Sequence, residues 1–580
     1  MLGRTDSRGR LLFLLVAFAL LAGVLGVRLA YWQVGEGPQL RRLAEAQIAR
    51  ANPPAPAERV RGDITDRNGT LLATTAYRDF LAAYPDTIAA DRRGAVAERL
   101  AGILGLGRLR TAQLVDSFER GVPYVVIARR LTEEQSQAVR RDLAAGELAG
   151  LALEPRAVRF YPNAGGAPNT SLASQLIGFV SEDGQGRYGV EQHSDQRLSS
   201  QHGPTAALDG GLPMTDAGLA LTIDASLQLR LEKDLYATWV ADRASRVSAV
   251  VMDARTGAIL AWGSVPGYDA NDYAAAATDP SIFIDPLAGE LYEPGSVLKT
   301  VTAAAALEAG KVGLSTPVLD AKSLQVGSNV VYNADRKQMG EIPFEDVIAF
   351  SRNVAVGKVA MMLGRTTDQA AGVLYSMWQR LGLGHRTGVD VAGEVAGLAS
   401  DPQARSWQPI DLINRSFGQG VAVTPLQLAV AYAAMVNGGN LITPHVELRA
   451  APADPAEVLD ERLSARLRQL LVHAVNSGPR YQRQAQIPGY LVGGKTGTAQ
   501  IWDARRGAWK EDVFNHTFCG FVGGDEPELV IVVRIHDAAP LIEESWGMSL
   551  EVTSSELFRR IAQNAIEVLD IPPAGGSVEP

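Results

Sequence analysis

A serine stands three residues ahead of a lysine in Ser296-Val-Leu-Lys299, just after the chain break Glu293-Pro-Gly295 and at the start of a helix-forming run to Ala309. That spacing puts both side chains on one helical face. A serine hydroxyl becomes a useful nucleophile when a base takes its proton. A lysine is such a base only when neutral, and burial or a nearby cation drives it toward that state. The positive end of the helix acts in the same sense. Backbone N–H groups there can hold a developing oxyanion, at roughly 3–4 kcal/mol per donor. Taken alone, the pair also fits a helix N-cap beside a solvated charge.

Two more clusters complete the set. Ser351-Arg-Asn353 lies between two helical stretches, Glu345–Phe350 and Val354–Leu363. A loop there presents Ser351 for proton relay and Asn353 for binding a substrate amide. Lys495-Thr-Gly-Thr498 follows Tyr490-Leu-Val-Gly-Gly494 and reads as a strand. Gly497 lets another backbone approach closely, so an extended peptide can add to this strand. Lys495, Thr496 and Thr498 would hold the peptide's carboxylate, and the Thr498 N–H would be the second oxyanion donor.

These groups need a frame. Val247–Met252 and Ala258–Trp262 read as a hairpin, and Thr517–Val522 and Leu529–Ile535 as late strands. A helix starts near Ser226, and another runs from about Ser549 to Leu569. Strands open this unit, helices fill it and strands close it, which predicts an antiparallel sheet flanked by helices, an α+β fold. Upstream, Arg61–Gly69 reads as a strand and tight turn, Leu131–Leu148 as a helix, and Arg156–Tyr161 and Gln175–Val180 as strands. His202–Gly218, rich in Gly and Pro, reads as a linker.

Leu11–Val27 is uncharged and 17 residues long, with Arg4, Arg8 and Arg10 before it and Arg28, Tyr31 and Trp32 after it. This reads as one membrane-spanning helix with its N-terminal end in the cytoplasm. A cleaved signal peptide is the alternative, though no A-x-A site directly follows the apolar run. Hydrophobic residues make up 46% and charged residues 21%, as in a globular protein. The net charge of −9 argues against a nucleic-acid partner. The single Cys519 excludes an internal disulfide, and the seven scattered histidines give no zinc motif, so neither metal nor cofactor is expected.

The three motifs in this order resemble those of the class B penicillin-binding proteins. Tyr292-Glu-Pro-Gly-Ser296, Ala249–Trp262, Phe417-Gly-Gln-Gly420, Thr424-Pro-Leu-Gln427 and Asn437-Gly-Gly439 are similar to segments of that family, as are Arg61–Gly69 and Gly189-Val-Glu191 upstream. The resemblance implies a β-lactamase/transpeptidase-like domain over 216–570 on an elongated α+β pedestal over 33–215. A cytoplasmic tail (1–10), a single transmembrane anchor (11–32) and a disordered tail (571–580) complete the expected plan. The chain would sit in the bacterial inner membrane with its catalytic domain outside. Ser296 would be acylated by the D-Ala-D-Ala end of a peptidoglycan stem peptide, with Lys299, Ser351, Asn353 and Lys495 catalytic and Thr496, Gly497 and Thr498 binding substrate. β-Lactams would acylate the same serine, and a polytopic membrane glycan polymerase would be a partner. Septal synthesis is expected; lateral-wall synthesis, a D,D-carboxypeptidase, a β-lactam sensor and a scaffold remain alternatives. Arg352 departs from the small or acidic residue common at that place.

Overall fold

The computed structural model describes residues 61–128, 130–199, 218–448, 454–503, 505–544 and 547–575, besides Gly23, Leu25 and Arg28. The expected cytoplasmic tail (1–10), most of the expected 11–32 anchor and nearly all of the expected linker lie outside the described residues. Among the described residues no helix is long and apolar enough to cross a membrane.

The upstream region is built on β1 (Ile64–Thr65) and β2 (Leu71–Ala83), which pair antiparallel across the Asp66–Thr70 turn. Asp66 Oδ1 accepts from the N–H groups of Asn68 and Thr70, which fixes that turn. Helices α1 (Arg93–Leu104) and α2 (Arg108–Glu119) follow, then β3 (Val125–Ala128), α3 (Glu133–Ala144) and β4 (Leu151–Phe160). Strands β3 and β4 pair with β2, and the helices bury Leu100, Phe118 and Val139 beside Leu81. Gln175–Val180 is not one strand as expected. It forms helix α4 (Ser174–Ile177) and two extended residues, because Gly178 takes φ +82° and breaks the run.

A buried ion cluster holds this region together. Glu191 accepts from Arg61 Nε at 2.6 Å and from Arg159 Nε at 2.7 Å, and the Tyr161 hydroxyl is 3.3 Å away. All four residues are buried.

The downstream region opens on β5 (Leu219–Ala220), which pairs in parallel with β1. Helix α5 (Ala225–Asp242) is capped by Asp224, whose Oδ1 accepts from Ser226 and Leu227 N–H. Next come β6 (Arg246–Asp253) and β7 (Ile259–Val265), then α6 (Lys299–Glu308). Four short strands follow: β8 (Pro317–Asp320), β9 (Ser323–Val326), β10 (Asn329–Tyr332) and β11 (Gly340–Pro343). Helices α7 (Phe344–Ala349), α8 (Asn353–Met361), α9 (Thr367–Arg380), α10 (Pro425–Val436) and α11 (Glu461–Ser477) fill the middle. The end is β12 (Leu491–Asp503), β13 (Ala508–Gly523), β14 (Leu529–Ala538) and α12 (Ser554–Val568).

The central sheet runs β12-β13-β14-β6-β7 and is antiparallel throughout, as the segment order suggested. Both faces are covered. Ala249, Val251, Ile531 and Val533 point to one face with Leu227, Leu231, Phe558 and Ile561 from α5 and α12. Val250, Met252, Val530 and Val532 point to the other, with Val301, Leu428 and Leu467 from α6, α10 and α11. The two-residue alternation of a strand produces this sorting. Helix α10 is buried at all twelve residues, as its almost wholly apolar sequence requires; its one amide, Gln427, accepts from Thr424 N–H and donates to His385 O. Cys519 lies buried in β13 as a free thiol.

Two boundaries differ from expectation. The last helix starts at Ser554, where Thr553 supplies the cap, and not near Ser549. Residues 571–575 are anchored, not a loose tail: Ile571 is buried, Ala574 N–H donates to Gly489 O at 2.8 Å, and Gly575 N–H donates to Asp525 at 2.8 Å.

Candidate active site

Ser296 lies one turn earlier than a plain helix start. Residues 295–298 form a 3₁₀ turn, and α6 begins at Lys299. The tighter turn keeps Ser296 and Lys299 on one side of the chain. Two close approaches fix it. Gly295 N–H donates to Gly418 O at 3.1 Å, and a Cβ on Gly418 would fall 2.0 Å from Gly295 O. A Cβ on Gly497 would fall 2.7 Å from Pro294 O and 3.0 Å from Val297 Cγ1. Edge strand β12 therefore lies directly against the serine turn, at a distance only glycine allows. Tyr292 supports the lead-in from below, with its ring under the Arg534 guanidinium at 4.0 Å and its hydroxyl accepting from Thr517 Oγ1. Ser296 is half-buried. Its hydroxyl makes no hydrogen bond among the described residues, so the expected Ser296–Lys299 contact is not formed here.

Lys299 is fully buried and meets the second motif instead. Its Nζ donates to Ser351 O at 2.6 Å and Asn353 Oδ1 at 2.6 Å, and lies 3.0 Å from the Ser351 hydroxyl oxygen. Burial pushes its pKa well below the ordinary lysine value, helped by the Lys495 and Arg352 cations and opposed by Asp320. These are the two causes, burial and a nearby cation, that the sequence argument required. Ser351 and Arg352 lie between α7 and α8, and Asn353 is the first residue of α8, one residue earlier than expected. Ser351 has φ +58°, a left-handed conformation that costs a non-glycine residue of order 1 kcal/mol or more.

The third motif is the middle of β12, in register with β13: Lys495 faces Cys519, Thr496 Phe518, Gly497 Thr517 and Thr498 His516. Lys495 is fully buried, and burial brings its pKa down to about 7. Its Nζ donates to Thr496 O at 3.0 Å, and to Gln482 Oε1 and Thr496 Oγ1 at 3.3 Å each. Thr496 is buried and Thr498 exposed. Because β12 is an edge strand, its outer row of N–H and C=O groups is available to an added strand.

Several site residues were not foreseen. Gln482 accepts from both Lys495 and Thr496 Oγ1, and is itself held by donating to Ala474 O at 2.6 Å. Asp320, Asp335 and Tyr332 contact the Ser351–Asn353 loop. Nothing local marks Gln482, thirteen residues before Lys495; only the short turn at 480–483 carries it inward.

Residues 247–563 match the family model described as the penicillin binding protein transpeptidase domain, and residues 56–207 match the penicillin-binding protein dimerisation domain. The chain belongs to the class B penicillin-binding proteins. It is 28% identical to stage V sporulation protein D of Bacillus subtilis, over 99% of this chain and 88% of that protein. It is also 28% identical to the probable peptidoglycan D,D-transpeptidase PenA of Neisseria gonorrhoeae, over 98% of this chain and 94% of that one. Among solved structures, penicillin binding protein 3 from Mycobacterium tuberculosis, complexed with aztreonam, superposes with a TM-score of 0.64 at 25% identity, covering 90% of this chain and 98% of that one. This penicillin-binding protein thus has the transpeptidase fold that its motifs implied.

Proposed function

We propose that the chain is a peptidoglycan D,D-transpeptidase working through an acyl-enzyme on Ser296. The Ser296 hydroxyl gives its proton to the neutral Lys299 amine as Oγ attacks the penultimate D-alanine carbonyl. The peptide C–N bond breaks, and the proton passes through Ser351 to the departing D-alanine nitrogen. An amine of a second stem peptide then attacks the ester, closing the cross-link and returning the proton to Ser296. Lys495, Thr496 and Thr498 receive the donor's carboxylate, Gly497 keeps the strand close, and Asn353 orients the donor amide. The N–H groups of Ser296 and Thr498 take the oxyanion, at roughly 3–4 kcal/mol per donor. A β-lactam follows the same route, its ring amide opening on Ser296.

The observation that carries this reading is the Lys299 amine. It is buried, shifted toward its neutral form and bonded to Ser351 and Asn353, one turn from Ser296. The likeness to PenA, a probable peptidoglycan D,D-transpeptidase, supports the substrate class.

The rest of the plan rests on the sequence. Segment 11–32 anchors the chain in the inner membrane with the catalytic region, 216–570, outside. Region 33–215 is the pedestal, and a membrane glycan polymerase supplies the strands to be joined. We favour septal synthesis.

The test is release of D-alanine from pentapeptide-bearing glycan, with the acceptor followed at the same time. Wild type is expected to release one D-alanine per cross-link, and Ser296→Ala to release none. Release with water as sole acceptor would make the chain a carboxypeptidase. Cross-linking that survives Ser296→Ala would overturn the proposal.

A further inference from the structure

Arg352 stands inside the Ser351–Asn353 motif but points away from the reacting groups, and its guanidinium is buried. Its Nε donates to Asp320 Oδ2 at 2.8 Å, and its two terminal nitrogens donate to Asp335 at 2.9 and 3.2 Å and to Lys337 O at 2.6 Å. One side chain thus ties the motif to the end of β8 and to the turn after β10. The same stretch returns bonds to the motif. Asn353 Nδ2 donates to Tyr332 O at 3.1 Å, and Val354 N–H donates to Asn333 Oδ1 at 3.1 Å. Asn333 Nδ2 in turn donates to Asp320 Oδ1 at 2.9 Å and to Lys337 O at 2.9 Å.

The consequence reaches Lys299. The Asn353 amide turns its oxygen to Lys299 while its nitrogen is engaged on the other side by Tyr332 O, and that second bond fixes which way the amide faces. Tyr332 O is where it is because the 332–337 stretch is clamped. Ser351, at φ +58°, also needs surroundings that hold it there. We propose that Arg352 is a positioning residue for the acyl transfer, its grip on Asp320 and Asp335 locking the 332–337 stretch so that Ser351 and Asn353 present their oxygens to Lys299. The inference rests on the function proposed above and adds a determinant to that site.

Arg352 also acts through charge. The groups facing Lys299 are Lys495, Arg352 and Asp320. Those facing Arg352 are Asp320, Asp335, Lys299 and Tyr481. Removing the guanidinium takes away one of the two cations that favour the neutral amine.

The experiment is the second-order rate constant for acylation by a fluorescent penicillin, measured across pH for wild type, Arg352→Gln, Arg352→Lys and Asp335→Asn. Arg352→Gln is expected to lower the plateau about tenfold to a hundredfold, the scale of misplaced reacting groups, and to move the acid limb to higher pH. Arg352→Lys keeps the charge but cannot span both carboxylates. Its limb is expected at the wild-type pH with a lowered plateau. Asp335→Asn, which leaves the Asp320 pair intact, is expected to lose at least about threefold. If Arg352→Gln does not fold, Asp335→Asn decides. Variants that lose only thermal stability, with wild-type rate and limb well below their melting temperature, overturn the inference alone. Wild type that takes up no penicillin, or Ser296→Ala that takes up as much, overturns the underlying function as well.

Discussion

Lys495 is placed to carry a charge whose persistence depends on pH in the neutral range. It is fully buried, and burial brings its pKa to about 7. In the proposed mechanism it meets the donor carboxylate as a cation. Above about pH 7 its charged fraction falls about tenfold per pH unit, a loss of about 1.4 kcal/mol of binding for each unit. Lys299 works in the opposite sense, since it must be neutral, and its own pKa lies well below 10.5. The acylation constant for a penicillin is therefore expected to be bell-shaped, because this constant reports the free enzyme. The acid limb belongs to Lys299 and the alkaline limb, starting near pH 7, to Lys495. The perturbation is Lys495→Arg. A guanidinium stays charged throughout, so the alkaline limb should vanish, while a lower plateau reflects a bulkier group in a buried slot. Stopped-flow acylation from about pH 5 to about pH 10 reads both limbs. An alkaline limb unchanged in Lys495→Arg, or a wild-type rate that keeps rising to about pH 9, would refute the assignment of charge to Lys495.

Other outcomes follow from the same contacts. Lys495→Met is expected to raise stability by a few kcal/mol near pH 6–7. The folded chain depresses this amine from 10.5 to about 7, so the cost is full below about 7 and fades as pH rises to 10.5; urea unfolding at two pH values checks the sign. Glu191→Gln removes the carboxylate between the buried Arg61 and Arg159 and should cost about 3–5 kcal/mol, read as a lower urea midpoint. Gly497→Ala places a Cβ 2.7 Å from Pro294 O and should lower acylation at least about a hundredfold with the circular dichroism spectrum kept.

The sheet and its helices were legible because their apolar runs alternate or recur with the right period. Val247–Met252 and Leu529–Ile535 fall within β6 and β14. The three motifs were legible because each has a recognisable local setting: a turn before α6, the junction of α7 and α8, and the edge strand β12. Long-range polar packing was not legible. Gln482 beneath Lys495, and the Asp320–Arg352–Asp335 clamp, join residues 13 to 32 positions apart, and no local pattern marks them. The four short strands from β8 to β11 were missed for the same reason. Their pairs are two-stranded, and only three of their sixteen residues are buried, so no apolar face announces them. The Gln175–Val180 stretch was misread because its apolar residues are too few to separate a helical turn from a strand, and Gly178 decides it.

In the proposed mechanism one hydroxyl, at position 296, carries the acyl group while a neutral Lys299 takes its proton. Peptide mapping by mass spectrometry after brief exposure to penicillin tests it most directly. The adduct is expected on the peptide bearing Ser296 in wild type, and almost none is expected in Lys299→Met in the same interval. An adduct on another residue, or Lys299→Met acylated as fast as wild type, would contradict it.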